Sequence, residues 1–211
     1  MTRRLLLVRH GNTFEDGTTP TRVGMRSDLP LTEKGLVQAT QFADAARDAG
    51  LALGPFVSGP LLRTRIFLSH GFGIAPRLDD RLREIDYGNW EGLTDAEISA
   101  LAGPSMLESW NKNCVWPDGQ NWAPSPAVLS KGAESLVREL AAGDPSIVPV
   151  LCSSQGVLRY FAKIDATFFA RAKLGVGTGS CCGVSVGARG LRVDFWNEKP
   201  DSRSLKAWFG A

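Results

Sequence analysis

Leu5-Leu6-Leu7-Val8-Arg9-His10-Gly11-Asn12-Thr13 is the stretch on which the reading of this chain turns. Four apolar residues in a row predict a short strand buried on both faces. The run stops at Arg9-His10-Gly11, where such a strand reaches its carboxyl end, the edge at which open parallel sheets bind ligands. An arginine offers a planar, permanently charged fork for phosphate oxygens. A neutral imidazole beside it serves as nucleophile or base. The pair reads as a phosphate site, although the same triplet also arises by chance on surface turns, so the rest of the chain has to decide.

Working outward, strands and helices alternate. A long polar loop runs from Asn12 to Leu31, with Gly17, Gly24, Pro20 and Pro30, and loops of that length inside a domain are usually functional. Thr32 is placed to cap a helix over Glu33 to Ala49, with Leu36, Ala39, Phe42, Ala43 and Ala46 on one face and Gly50 as its stop. Pro55 to Ser58 reads as a second strand. It passes through Gly59-Pro60 into a helix from about Leu61 to Ser69, whose first turn holds Arg63 near amides that favour anions. Pro76 to Leu78 is extended, and Asp95 to Leu101 is helical in pattern. Residues 94–130 otherwise read as an aromatic, turn-rich insertion: Trp110, Trp116 and Trp122 stand among Pro117, Gly119, Pro124 and Pro126. The tryptophans fit either an aromatic lid or plain packing of the insertion. Glu134 to Ala142 is a helix ended by Gly143, and Ile147 to Cys152 a strand whose pairing should begin after Pro149. A helix follows from about Val157. The chain closes on a hairpin, Cys182 to Val186 and Leu191 to Trp196, turning at Gly187-Ala188-Arg189-Gly190. The expected fold is a single α/β domain over residues 1–211, a three-layer sandwich with a mostly parallel sheet.

Composition narrows the chemistry. The 211 residues are 43% hydrophobic and 22% charged with a net charge of +2, ordinary for a soluble globular protein and without the excess of cations that nucleic acid or an anionic membrane would demand. The first apolar run is too short for a signal peptide, and none approaches the roughly 18 residues of a membrane span. Cys114, Cys152, Cys181 and Cys182 lack C-x-x-C spacing, and Cys181 and Cys182 should face opposite sides of a strand. Two histidines are too few to suggest zinc. The expectation is a cytoplasmic protein with no metal or other cofactor, with a small phosphorylated molecule as partner; oligomeric state is not legible.

Five segments in order then resemble the histidine phosphatase (phosphoglycerate mutase-like) superfamily. Leu7 to Thr13 matches its R-H-G-x-T after a first strand, and Asp28-Leu29-Pro30-Leu31-Thr32-Glu33-Lys34-Gly35 is similar to D-x-P-L-T-x-x-G. Ser58-Gly59-Pro60-Leu61-Leu62-Arg63 resembles S-S-P-L-x-R, and Leu82-Arg83-Glu84 through Trp90-Glu91-Gly92 resembles L-x-E-x-x-x-G-x-W-E-G. Gly132-Ala133-Glu134-Ser135 is similar to G-G-E-S. The resemblance implies that His10 attacks phosphorus to give a phosphohistidine, that Arg9 and Arg63 hold the phosphoryl oxygens, and that Glu84 is the general acid and base. Asn12 and Thr13 either line the pocket or cap the turn after the strand.

One departure stands out. Where the family has V-S-H-G-G-V-I-R, this chain has Cys152-Ser153-Ser154-Gln155-Gly156-Val157-Leu158-Arg159, with Ser154 in place of the second histidine and Gln155 in place of a glycine. His70 sits seven residues beyond Arg63, about 10 Å along a helix, too far to substitute. Ser154 and Gln155 can offer the phosphate only neutral hydrogen bonds. Three readings follow: a phosphomonoesterase, slowed by that loss; a phosphate-binding or regulatory protein; and, third, a phosphoglycerate mutase-type transferase.

Overall fold

The computed structural model describes residues 2–188 and 190–210. Among them a six-stranded sheet, ordered β3-β2-β4-β1-β5-β6, is built from β1 (Arg3–Arg9), β2 (Leu53–Ser58), β3 (Arg77–Leu78), β4 (Val148–Ser153), β5 (Cys181–Gly187) and β6 (Gly190–Glu198). The helices are α1 (Glu33–Asp48), α2 (Leu62–Phe72), α3 (Asp95–Ala102), α4 (Pro104–Asn113), α5 (Pro126–Ala141), α6 (Gln155–Ala162), α7 (Ala166–Phe169) and α8 (Ser202–Gly210). None is long and apolar enough to cross a membrane.

The leucine run sits at the heart of the sheet because both its faces are covered. Leu5 and Leu7 join the larger core with α5 and α6, while Leu6 and Val8 join the other with Phe42 and Ala46 of α1 and Phe67 of α2. Alternation along a strand sends successive side chains to opposite faces, and an all-apolar strand is the sequence that satisfies both. Strand β1 is parallel to β4 and antiparallel to β5, while β2 is parallel to β3 and β4. The sheet is therefore mixed, mostly parallel, with helices on both sides. Cys182 faces the first core and Cys181 the second, as strand alternation requires.

Pairing begins after Pro149 only on the β1 side, from Val150 onward; on the other side Val148 already pairs with Leu53, contrary to expectation, and β2 slips register between Leu53 and Phe56 to pass the proline. Thr32 caps α1 by accepting from the Gly35 N–H at 3.2 Å. The hairpin closes with Gly187 opposite Gly190; Arg189 of the expected turn lies outside the described residues.

Other expectations need correcting. Residues 94–130 hold more helix than expected, with α3 and α4 over 95–113 and α5 starting at Pro126, eight residues before Glu134, while 114–125 between them is irregular. Pro104 and Pro126 start their helices, where the first turn has no use for the N–H that proline lacks. Helix α6 begins at Gln155, two residues before Val157, and α8 was not foreseen. Trp110 and Trp122 are buried, and Trp122 packs edge-on against Tyr87, Trp90, Trp110 and Trp116 at 4.7–5.2 Å. The three tryptophans pack the region and form no lid over it; Trp110 also reaches the cleft wall described next.

Candidate active site

The carboxyl ends of β1, β2 and β4 lie side by side, with Arg9 opposite Ser153 and Ser58 opposite Cys152. A cavity of about 650 Å³ opens there, lined by Arg9, His10, Asn12, Thr13, Glu84 and Gln155 among others. Arg63 and Ser154, also expected in the site, are buried beside each other but are not in that lining. Their bond, Arg63 Nε donating to Ser154 Oγ, is 3.3 Å.

His10 follows β1 directly and is only 5% exposed. Its Nδ1 lies 2.7 Å from the Gly11 carbonyl, an acceptor only, so Nδ1 carries the proton and Nε2 holds the lone pair. Burial, then the positive charges of Arg9 and Arg63, hold the imidazole well below the usual histidine range. It is neutral at pH 7.

Arg9 is held by Nη1 donating to Val176 O at 2.6 Å and to Gln155 Oε1 at 3.0 Å. Burial lowers it to about 10, so it stays charged near neutrality. Arg63 spends its other donors on the Asn12–Leu31 loop, Nη1 on Ser27 O at 2.7 Å and Nη2 on Gly24 O at 3.1 Å. The amides at the start of α2, expected to be open to anions, are partly taken: Leu62 N–H donates to Asp28 Oδ1 at 2.6 Å. His70 is exposed at the last turn of α2, away from the site.

Glu84 enters from the loop after a 3-10 turn over Asp80–Leu82. Oε1 accepts from the Ile85 N–H at 2.9 Å and Oε2 from the Gly156 N–H at 3.1 Å. Asn12 does both things left open for it: it lines the cavity, and its carbonyl accepts from Thr32 N–H at 3.0 Å while its side chain meets Thr178.

Three cleft residues escaped the sequence reading. Arg159 is buried, with Nη1 and Nη2 donating to the Trp110 and Asn111 carbonyls at 2.9 and 3.0 Å. Its signal was an arginine inside the apolar run Val157-Leu158-Arg159-Tyr160-Phe161-Ala162. Arg22 reaches Asp95 at 3.0 Å, over the rings of Tyr87 and Trp90. Tyr87, three residues after Glu84, lines the cleft. Among the described residues no group of three or more His, Cys, Asp or Glu side chains gathers as a metal site would require.

Comparison with known proteins returns one family, the histidine phosphatase superfamily (branch 1), matched over residues 5–199. A glucosyl-3-phosphoglycerate phosphatase of Mycobacterium tuberculosis is 35% identical over 147 residues, 68% of this chain and 62% of its own length. A probable phosphoglycerate mutase of Cronobacter sakazakii is 40% identical over 120 residues, 56% of this chain and 53% of its own. The matches thus span under two thirds of these relatives. The solved structure of mycobacterial glucosyl-3-phosphoglycerate phosphatase with VO3 superimposes with a TM-score of 0.73 at 30% identity, covering 93% of this chain and 100% of that one.

Proposed function

The chain belongs to the histidine phosphatase superfamily, and from that premise we propose that it is a phosphomonoesterase working through a phosphohistidine on His10. The observation that carries the reading is the state of His10: buried, neutral, with Nδ1 tied to Gly11 and Nε2 left to attack. Such an imidazole is a nucleophile that needs no base to activate it.

Charge supports the same substrate class. Around His10 stand the buried Arg63 and Arg159 and the half-buried Arg9, with the Glu84 carboxylate among them. These cations suit a phosphate, which charge-assisted hydrogen bonds would stabilise there.

The steps follow. Nε2 of His10 attacks phosphorus as the ester P–O bond breaks, and Glu84 gives its proton to the departing oxygen. Glu84 then takes a proton from water, whose oxygen attacks the phosphohistidine; the N–P bond breaks and inorganic phosphate leaves. Arg9 and Arg63 offset the charge that builds on the phosphoryl oxygens. The cavity is far larger than phosphate, and Thr18, Thr19, Thr21 and Asn111 on its walls suit a polar leaving group. Relatives named as phosphatases of glucosyl-3-phosphoglycerate fit that picture.

A second reading, a phosphate-binding regulatory protein, is favoured by Gln155, whose Oε1 accepts from Arg9 Nη1 at 3.0 Å and so holds one of the donors a phosphate oxygen could use. A panel of phosphate esters, phosphorylated acids and sugars among them, separates the two. The phosphatase releases inorganic phosphate, leaves an acid-labile phosphoryl group on His10 after quenching, and loses both in His10→Ala. Binding without release on every ester would overturn the catalytic reading.

A further inference from the structure

Gln155 and Arg9 meet on the cavity wall, and each is held from behind. Arg9 donates its backbone N–H to Ser180 O and accepts from the Gly179 N–H, both at 3.1 Å. Gln155 opens α6, whose remaining residues, Gly156 to Ala162, are all buried. The contact between the two side chains has a fixed sense. A guanidinium can only donate, so the carboxamide turns its oxygen, not its nitrogen, to Arg9. Both hydrogens of Nη1 are then spent, one on Gln155 Oε1 at 3.0 Å and one on Val176 O at 2.6 Å. Nε, on the other edge of the guanidinium, is buried and has no acceptor among the described residues.

A guanidinium has a side-on edge, made by Nε–H and one N–H of Nη2, that can meet two oxygens of a phosphoryl group at once. Saturating Nη1 leaves that edge for a ligand. We infer that Gln155 is a positioning residue for the phosphoryl site: with Val176 it pins Nη1, so that the Nε–Nη2 edge of Arg9 is the fork that receives phosphoryl oxygens. Without the glutamine, Nη1 keeps one acceptor and the guanidinium can pivot about it. A ligand must then hold the fork still at its own cost, which preorganisation avoids. Ser154 next door has no such effect, because its Oγ lies on Arg63. The inference rests on reading the cleft as a phosphoryl site, and it holds whether the bound ester is hydrolysed or only retained.

A double-mutant cycle on the binding of inorganic phosphate, measured by isothermal titration, provides the test. Gln155→Leu cannot accept from Arg9. Arg9→Lys keeps the charge but has no fork to orient. In the parent background Gln155→Leu should weaken phosphate binding about tenfold, roughly the worth of one hydrogen bond. In the Arg9→Lys background it should change the affinity less than about twofold. Gln155→Asn, whose carbonyl falls one carbon short, should show the same pattern and serves if a thermal melt finds the leucine variant unfolded. Equal losses in the two backgrounds would make Gln155 a direct ligand or a packing residue. No loss, or tighter binding without the glutamine, would make it a bystander or an obstacle. Each of these results overturns the inference. Failure of the underlying reading looks different: the parent would then take up no phosphate that Arg9→Lys weakens, and the inference would fall with it. If Arg9→Lys weakens phosphate and Gln155→Leu does not, only the positioning role of Gln155 falls.

Discussion

Gln155 and Ser154 set what the phosphate site can do one residue at a time. Arg9 Nη1 already has two acceptors, Val176 O and Gln155 Oε1, while its Nε has none, so an incoming phosphoryl oxygen meets a guanidinium that the glutamine already holds in place. Ser154 Oγ, where the family has a histidine, accepts the Arg63 Nε–H and has no charge to offer a ligand. A cationic donor is worth about twice a neutral one. Replacing Ser154→His together with Gln155→Gly should therefore raise turnover of an aryl phosphate at least about tenfold, or about 1.4 kcal/mol of barrier. Adding His10→Ala to that background should remove the gain. A double variant that folds and binds phosphate with no more activity than the parent would place the limitation elsewhere. Arg9, His10 and Glu84 were legible in the sequence because each stands in a motif with fixed spacing to a strand end. Tyr87, Arg159 and Gly156 were not, because spacing along a loop or a wholly buried helix does not tell which atoms meet across the cleft.

Elements explain why glycines sit in two of the motifs. A β-carbon on Gly11 would come within 2.4 Å of the Gly35 carbonyl oxygen, and one on Gly35 within 2.4 Å of the Asn12 carbonyl oxygen. The turn after β1 and the first turn of α1 thus touch backbone to backbone, locked further by Thr32 N–H donating to Asn12 O at 3.0 Å. Gly35→Ala pits two effects against each other. Alanine is the better helix former by up to about 1 kcal/mol, but a clash with backbone cannot be relieved by a rotamer, and overpacking costs about 1–3 kcal/mol. The clash should win, with a net loss of about 1–2 kcal/mol in urea unfolding and a fall in kcat, since Asn12 is two residues from the nucleophile. A more stable, equally active Gly35→Ala would show that the contact has slack. Element order and the capped α1 were readable from periodicity. The helix at 104–113 was not readable, and the one at 126–141 only from Glu134, because a proline among tryptophans and glycines reads as turn whereas Pro104 and Pro126 each start a helix. Helix α8 buries only Leu205 fully, so its apolar stripe was too thin to stand out.

At the scale of the whole molecule, the site and the stability of the fold share one histidine. Folding buries His10 beside two guanidiniums and holds its proton affinity well below the ordinary histidine value of 6.5. The unfolded chain restores that ordinary value. Above about pH 6.5 neither state carries the proton, and the burial is free of this cost. As pH falls below it, the unfolded state takes up a proton that the folded state refuses, so stability declines at up to about 1.4 kcal/mol per pH unit until the folded-state value is reached. The carboxylates held low by their partners, such as Asp79 with Arg81 and Glu139 with Arg81 and Arg77, also lose stability in acid, but only below the ordinary carboxylate values near 4. The two windows are therefore separate. Between pH 6.5 and 5.5 the protein should lose about 1 kcal/mol of unfolding free energy, and His10→Asn, which removes the titrating group, should flatten that slope while leaving the steeper loss below pH 4.5 in place. Urea titrations of parent and variant at half-unit steps read the difference directly. Parallel slopes for the two proteins between pH 6.5 and 5.5 would mean that His10 accepts its proton in the folded state, and with that the neutral nucleophile would be lost as the basis of the mechanism.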